Sequence, residues 1–214
     1  MLFTERNAMA QVQEENGRRV LRIDGGDRLT PAARDLLRRE GIAVVEKKPE
    51  HMTHLDPHTL VEKNHPRIAL RGKLDSLQAE ILLIQQAPSA PVDALQDMLN
   101  YLRAIVRAEV LREALPPLSI GGMDEEELHE RSHQPQKYYG IGHFLPSYQD
   151  DAVLLKLNRL RAMIRETELI SYAAFLEKNG KLSRPDILTA LNRLSSAAWV
   201  LCLARKGGTH GQNH

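Results

Sequence analysis

The sequence predicts a mainly α protein, an antiparallel bundle of about five helices that follows a small strand-helix-strand unit. Apolar residues recur in alternating steps of four and three over several long segments of the second part of the chain. Proline and glycine clusters separate those segments, and aromatic residues make up only 4% of the chain. The first part instead carries short apolar runs flanked by turn residues, which is typical of strands.

Residues 1–46 predict the small α/β unit. Residues 20–23 are an apolar run that indicates a strand, and turn chemistry follows it. Thr30 supplies an N-cap and is followed by a proline, which predicts a helix from Pro31 to about Glu40. Gly41 suits the left-handed position that follows a helix. Residues 42–45 indicate a second strand.

Residues 67–206 predict the helical bundle. Two helices carry regular apolar stripes, the first made of Leu70, Leu74, Leu77, Ile81 and Ile84, the second of Leu95, Leu99, Leu102 and Val106. Asp124 predicts the N-cap of a short helix, and two more long helices are expected after it. The stretch 47–66 is polar and its apolar residues show no regular spacing, which predicts a linker or arm. The Gly/His-rich end, 207–214, predicts a disordered tail.

Composition excludes several classes of protein. The chain carries 29 Lys and Arg against 28 Asp and Glu, so no global field favours nucleic acid or an anionic membrane as a partner. The longest apolar run, 197–204, is far shorter than the roughly 20 residues that span a bilayer, and the start is polar, so we expect a cytoplasmic protein. A single cysteine excludes an intramolecular disulfide and a thiolate cluster.

Histidines crowd the predicted arm and raise the question of a metal. They are His51, His54, His58 and His65. A zinc site is the alternative interpretation, but the stretch lacks thiolates or acidic residues at the fixed spacing that is typical of such sites. We therefore expect no resident metal.

Polar residues on two predicted bundle helices are candidates for chemistry. Helical spacing places Arg161, Arg165 and Glu168 on one face beside an apolar stripe, where they form either a solvated ion-pair ladder or an anion site. Asn192 lies among serines on the last helix, where it serves either a helix-helix hydrogen bond or the edge of a purine or ribose. Asp75 on the first bundle helix is either a surface acid or a partner across an interface.

Three separated segments resemble one family. Residues 71–78 (RGKLDSLQ), 161–168 (RAMIRETE) and 184–196 (RPDILTALNRLSS) are similar, in order, to motifs of the ATP:cobalamin adenosyltransferases of the propanediol-utilization type. Residues 47–55 and 128–135 resemble the ethanolamine-utilization branch of that superfamily. The resemblance covers about residues 29–204, nearly the whole chain.

The resemblance implies transfer of the 5′-deoxyadenosyl group of ATP to cob(I)alamin, with Mg²⁺ on the polyphosphate. By carry-over, Arg165 contacts the phosphates, Arg161 pairs with Asp75 across a subunit interface, Glu168 orients ATP and Asn192 holds the nucleotide. The family implies a homo-oligomer, expected to be a trimer with a dimer left open. It also implies a place in ethanolamine catabolism and an association with a bacterial microcompartment.

The sequence departs from the family at three places. The glycine-rich phosphate loop of the propanediol type is missing; Lys48, next to Lys47, is the expected substitute, with a solvated basic pair as the alternative. The cysteine-rich metal segment of ethanolamine-type members is missing too. The Phe-x-Leu-Pro loop, whose phenylalanine displaces the lower ligand of cobalamin, reads HFLP, so Phe144 is the expected wedge and His143 its neighbour, with the roles reversed as the alternative.

Two other functions compete with this interpretation. A helical adaptor or regulatory protein of a microcompartment would keep the fold without catalysis, which the missing phosphate loop favours and the retained arginines oppose. A phosphohydrolase would use the same arginines, but the sequence carries no paired acidic metal-binding motif.

Overall fold

The computed structural model describes residues 1–47, 49–56 and 58–211, with side chains as far as residue 208. The chain divides into two compact units, Met1–Lys63 and Asn64–His214. The predicted fold class is confirmed: most of the ordered structure is helix, and the strands are short and confined to the first unit.

The first unit combines short strands with two helices. Its elements are β1 (Leu2–Phe3), α1 (Glu5–Ala10), β2 (Val12–Glu15), β3 (Arg18–Ile23), β4 (Arg28–Leu29), α2 (Pro31–Arg39), β5 (Ala43–Glu46), β6 (Met52–Asp56) and β7 (Thr59–Glu62). β3 is the central strand of a three-stranded sheet, antiparallel to β2 and parallel to β5. The core of this unit consists of Phe3, Ala8, Leu21, Ala33, Leu37 and Ile42.

Local sequence chemistry explains α2. The Thr30 hydroxyl accepts a hydrogen bond from the Ala33 N–H at 3.1 Å, which caps the helix. Gly41 adopts a φ of +65°, a left-handed conformation that glycine reaches without steric cost, and the chain then turns into β5. The β3-α2-β5 arrangement is the strand-helix-strand unit that the sequence predicts.

Two features of the first unit go beyond what the sequence predicts. The first unit also contains α1, β1, β2 and β4, which are too short to show a period. The stretch 47–66, expected to be a linker or arm, contains a β-hairpin in which β6 pairs antiparallel with β7. Only Leu55 of β6 is fully buried, so the hairpin lacks the apolar alternation that predicts strands.

The second unit is the helical bundle. Its helices are α3 (Pro66–Gln85), α4 (Val92–Leu111), α5 (Glu125–His133), α6 (Pro135–Tyr139), α7 (Ala152–Phe175) and α8 (Pro185–Gly211). α7 packs along α8 and against α3, α3 packs against α4, and α5 packs on α8. The predicted stripes of α3 and α4 lie in the shared core. Asp124 caps α5 by accepting from the Glu127 N–H at 2.9 Å, as the sequence predicts.

The end of the chain also differs from expectation. α8 continues to Gly211, where the sequence predicts a disordered tail from residue 207. A Cβ at Gly207 would lie 2.7 Å from the carbonyl oxygen of Tyr139 in α6, so the glycine permits a close approach of the two helices. The glycine that lowers helix propensity in isolation is thus required by packing.

A buried ion cluster joins α3 to α4. The Glu109 side chain is fully buried and accepts from Arg67 Nε at 2.5 Å and from Arg71 Nε at 2.6 Å. Each carboxylate oxygen therefore has its own guanidinium donor, which offsets the cost of removing the charge from water. Removal of this carboxylate would deprive two largely buried arginines of their shared acidic partner, which should destabilise the fold.

Among the described residues, one helix is long and apolar enough to span a membrane. It is Pro185–Gly208, the larger part of α8, and 67% of its most apolar stretch is buried inside the bundle. A core helix of a bundle can have the same length and composition.

Candidate functional site

A cavity of about 630 Å³ opens between α7, α8, the end of α5 and the loop 140–151. Small-molecule sites typically enclose about 300 to 1,000 Å³. Its lining includes six residues that the sequence predicts as functional: His143, Phe144, Arg161, Arg165, Glu168 and Asn192. The other lining residues are Ser132, His133, Leu145, Pro146, Leu169, Ser195, Ser196 and Trp199.

Two guanidinium groups of α7 supply the positive charge of the cavity. Arg161 is half-buried, with its Cζ 4.7 Å from the ring centroid of Trp199, a cation-π contact. Burial, and then the neighbouring charge of Arg165, lowers the pKa of the Arg161 guanidinium, which nevertheless stays protonated. Arg165 is exposed, and neither arginine forms an ion pair within the described ranges. Two unneutralised cations side by side favour an anionic ligand.

A chain of hydrogen bonds lies on the α8 side of the cavity. Asn192 Nδ2 donates to Glu168 Oε1 at 3.2 Å, joining α8 to α7. Arg193 donates to Asn192 Oδ1 at 2.9 Å. Glu168 is therefore held by an amide and forms no ion pair with either arginine of its own helix face in the described part of the chain. Its second oxygen and the second Asn192 N–H are available for a ligand.

Aromatic side chains form the other wall. Phe144 stacks on Trp199 with ring centroids 5.0 Å apart, and His143 lies nearly parallel to the same ring at 6.3 Å. Lys206 lies over the Phe144 ring, 5.6 Å from its centroid. Leu145, next in the loop, is 93% exposed. The wall can therefore accept a large apolar surface, with an exposed loop at its edge.

One predicted site residue lies away from the cavity. Asp75 is exposed on α3, where Gln78 donates to it at 3.5 Å, and it does not line the cavity. Arg161 and Asp75 thus do not pair within one chain, and their pairing across a subunit interface stays a prediction. Lys48 lies outside the described residues, and its neighbour Lys47 lies 3.6 Å from Asp24.

The described residues contain no group of three or more His, Cys, Asp or Glu placed to hold a metal ion. The cysteine, Cys202, is buried in α8, and burial raises the pKa of its thiol to about 12. A thiol that stays protonated at neutral pH is a poor metal ligand. The absence of a resident metal stays a prediction.

The sequence interpretation missed the role of Trp199. The residue contacts Arg161, His143 and Phe144, and so joins the charged and aromatic walls. Its signal in the sequence was its position seven residues after Asn192, on the same helix face. Nothing in the sequence indicated that loop 140–151 would fold back onto it.

Comparison with known proteins gives a consistent result. The pattern of the cobalamin adenosyltransferase family matches residues 43–205. Two curated relatives are the corrinoid adenosyltransferases EutT of Salmonella typhimurium, 41% identical, and of Escherichia coli, 40% identical, each over 162 residues. Those residues are 74% of this chain, and the chain spans 60% of the length of each relative. Because the family pattern covers most of the chain, this protein belongs to the cobalamin adenosyltransferase family.

Proposed function

We propose that this protein transfers the 5′-deoxyadenosyl group of ATP to cob(I)alamin. The observation that carries the proposal is one cavity with a carboxylate-amide pair, an aromatic wall and two guanidinium groups that form no ion pair with any described residue. These features suit, respectively, a polyphosphate, a nucleoside and the flat face of a corrinoid. The names of the two relatives, corrinoid adenosyltransferases, support the same reaction.

In this reaction the Co(I) electron pair attacks the 5′ carbon of ATP. A Co–C bond forms, the C5′–O bond breaks with its electrons on oxygen, and polyphosphate leaves. Arg165, exposed on the cavity wall, is assigned to the phosphates, where it stabilises the developing negative charge. Glu168 and Asn192 hold the nucleoside part and so fix the 5′ carbon for in-line attack. Mg²⁺ bound to ATP would neutralise part of the charge of its phosphates.

The aromatic wall is assigned to the corrinoid. Co(II) is easier to reduce when no ligand occupies its lower face, and a phenylalanine there excludes water without binding cobalt. Phe144 is therefore the proposed wedge. His143 stacks on the same tryptophan and is its proposed neighbour, because an imidazole at the metal would act as a ligand and oppose the reduction.

Several finer points belong to the same proposal. We assign Asp75 to a partner copy of the chain, where it would meet Arg161 in a homo-oligomer, a trimer in the first instance. Lys48 is the proposed replacement for the missing phosphate loop. The physiological setting we propose is ethanolamine catabolism in the cytoplasm, in association with a bacterial microcompartment.

A non-catalytic adaptor is the second candidate. The missing glycine-rich phosphate loop and the missing cysteine-rich metal segment favour it. Its cavity would not need two arginines that lack carboxylate partners, so the transferase is the better-supported function.

The test is formation of adenosylcobalamin. Purified protein is incubated with ATP, Mg²⁺ and chemically reduced cobalamin under anaerobic conditions, and the light-sensitive product is followed by its absorbance. We expect turnover in the wild type with Mg²⁺ as the only added metal, both before dialysis against a transition-metal chelator and after the chelator has been removed. ATP binding without turnover would support the adaptor, and release of inorganic phosphate from ATP without corrinoid would support a phosphohydrolase. Turnover that stops after dialysis and returns with zinc or iron would refute the expectation of no resident metal.

A further inference from the structure

Arg193 lies behind the cavity and is not part of its lining. Its guanidinium donates to Asn192 Oδ1 at 2.9 Å, and its Nε lies 3.4 Å from a carboxylate oxygen of Glu125 in α5. The side chain is only 20% exposed, and its Nε atom is buried without a hydrogen-bond partner among the described residues. A buried N–H without an acceptor costs free energy, and the ion pair with Glu125 and the hydrogen bond to Asn192 are the interactions that hold this guanidinium in place.

The arginine determines which way the Asn192 amide faces. An asparagine amide can present its oxygen or its nitrogen in a given direction, and its neighbours decide between the two. With Oδ1 accepting from Arg193, the NH₂ group faces Glu168, whose carboxylate accepts at 3.2 Å. The reverse orientation would place a donor against the guanidinium and an acceptor against the carboxylate, both repulsive. One arrangement is therefore strongly favoured.

We propose that Arg193 is a positioning residue for nucleotide binding, and that Glu125 anchors it from α5; this rests on the proposed function of the cavity. The fixed amide presents an N–H donor beside the acceptor oxygen of Glu168. This pair is complementary to a ligand edge that offers one donor and one acceptor side by side, as part of a nucleoside does. Arg193 acts through Asn192 and does not itself touch the nucleotide.

A double-mutant cycle on ATP binding tests this inference. The full chain is titrated with ATP and Mg²⁺ in the absence of corrinoid by calorimetry, in the wild type, R193Q, N192A and the double mutant. Loss of a charge-assisted hydrogen bond predicts an ATP Kd about tenfold higher in R193Q. In the N192A background the same change should raise the Kd by less than about twofold, since the amide that it orients is gone.

Two further variants complete the design. R107Q is the matched control, because Arg107 also pairs with a glutamate, Glu113, at 2.9 Å, but lies outside the cavity, and its ATP Kd should be unchanged. E125Q removes the anchor without removing the arginine and should raise the Kd about threefold, the scale of an exposed ion pair. It also tests the inference if thermal unfolding shows that R193Q does not fold.

The outcomes are distinct. An unchanged Kd in R193Q, or an equal loss with and without Asn192, would overturn the positioning role. If R193Q does not fold, an unchanged Kd in E125Q overturns it. If the cycle shows coupling but no adenosylcobalamin forms, the chemistry of the proposed function fails and the inference stands. If the wild type binds no ATP, both the proposed function and this inference are refuted.

Discussion

Replacement of Arg165 by alanine should abolish turnover and leave the fold intact. The side chain is exposed and forms no ion pair or hydrogen bond in the described part of the chain. Its removal therefore leaves no buried charge behind, and the free energy of unfolding should change by less than about 0.5 kcal/mol. The substitution also leaves the helix propensity of this position high, because alanine is a strong helix former.

The effect on the reaction should be far larger. The guanidinium lies on the cavity wall where the polyphosphate is assigned, and negative charge on that leaving group grows in the transition state. Removal of one such preorganised donor typically raises the barrier by about 2.7 to 4 kcal/mol, or about 100- to 1,000-fold in kcat. A lysine should recover part of this loss, because it restores the charge but not the planar fork of the guanidinium.

The assay measures both quantities in the same preparations. The initial rate of adenosylcobalamin formation is recorded at saturating ATP, and circular dichroism gives the helix content and the midpoint of thermal unfolding. Glu166→Ala is the matched control, since Glu166 neighbours Arg165 on α7, is exposed, and lies outside the cavity. If Arg165→Ala keeps more than half of the wild-type rate, the assignment of this helix face to the phosphates is wrong.

Three further predictions address the interface, the corrinoid wall and the core. Neutralising Arg161 or Asp75 should each impair assembly or activity, and the charge-swapped double mutant should recover part of the loss; additive effects in a double-mutant cycle would argue against contact. Phe144→Ala should leave ATP binding nearly unchanged but remove the paramagnetic signal of four-coordinate Co(II) that is expected with ATP present. Loss of that signal in His143→Ala alone would transfer the wedge role to the histidine. Glu109→Gln should lower the free energy of unfolding by about 3 kcal/mol, because Arg67 and Arg71 lose their shared carboxylate. Urea denaturation measures this loss, and a midpoint equal to that of the wild type would contradict it.

The bundle was predictable because its signals are repetitive. Leu70 to Ile84 and Leu95 to Val106 repeat with the helical period, and the structure buries both stripes. The hairpin β6-β7 was not, because its strands are short and consist of exposed or half-buried residues, apart from the buried Leu55. The continuation of α8 past Gly207 depends on a tertiary contact with Tyr139, which local propensity does not encode.

The candidate site also combines features that follow from local sequence spacing with features that depend on tertiary packing. Arg161, Arg165 and Glu168 share a helix face by spacing alone, so their proximity follows from the sequence. That they meet Asn192 requires α7 to pack along α8 in one register, and that register is set by the whole core. The placement of Phe144 depends on loop 140–151, whose path no periodic pattern describes.

Trp199 gives the protein a built-in optical probe. It is the one tryptophan in the sequence, it is 7% exposed, and its ring touches the cation of one wall and the phenylalanine of the other. All indole emission of the chain therefore arises inside the cavity. A corrinoid absorbs in the near ultraviolet, where indole emits, and would quench that emission when it binds. The occupancy of the cavity, the rate of binding and its order relative to ATP can therefore be followed by fluorescence in the unlabelled wild-type chain.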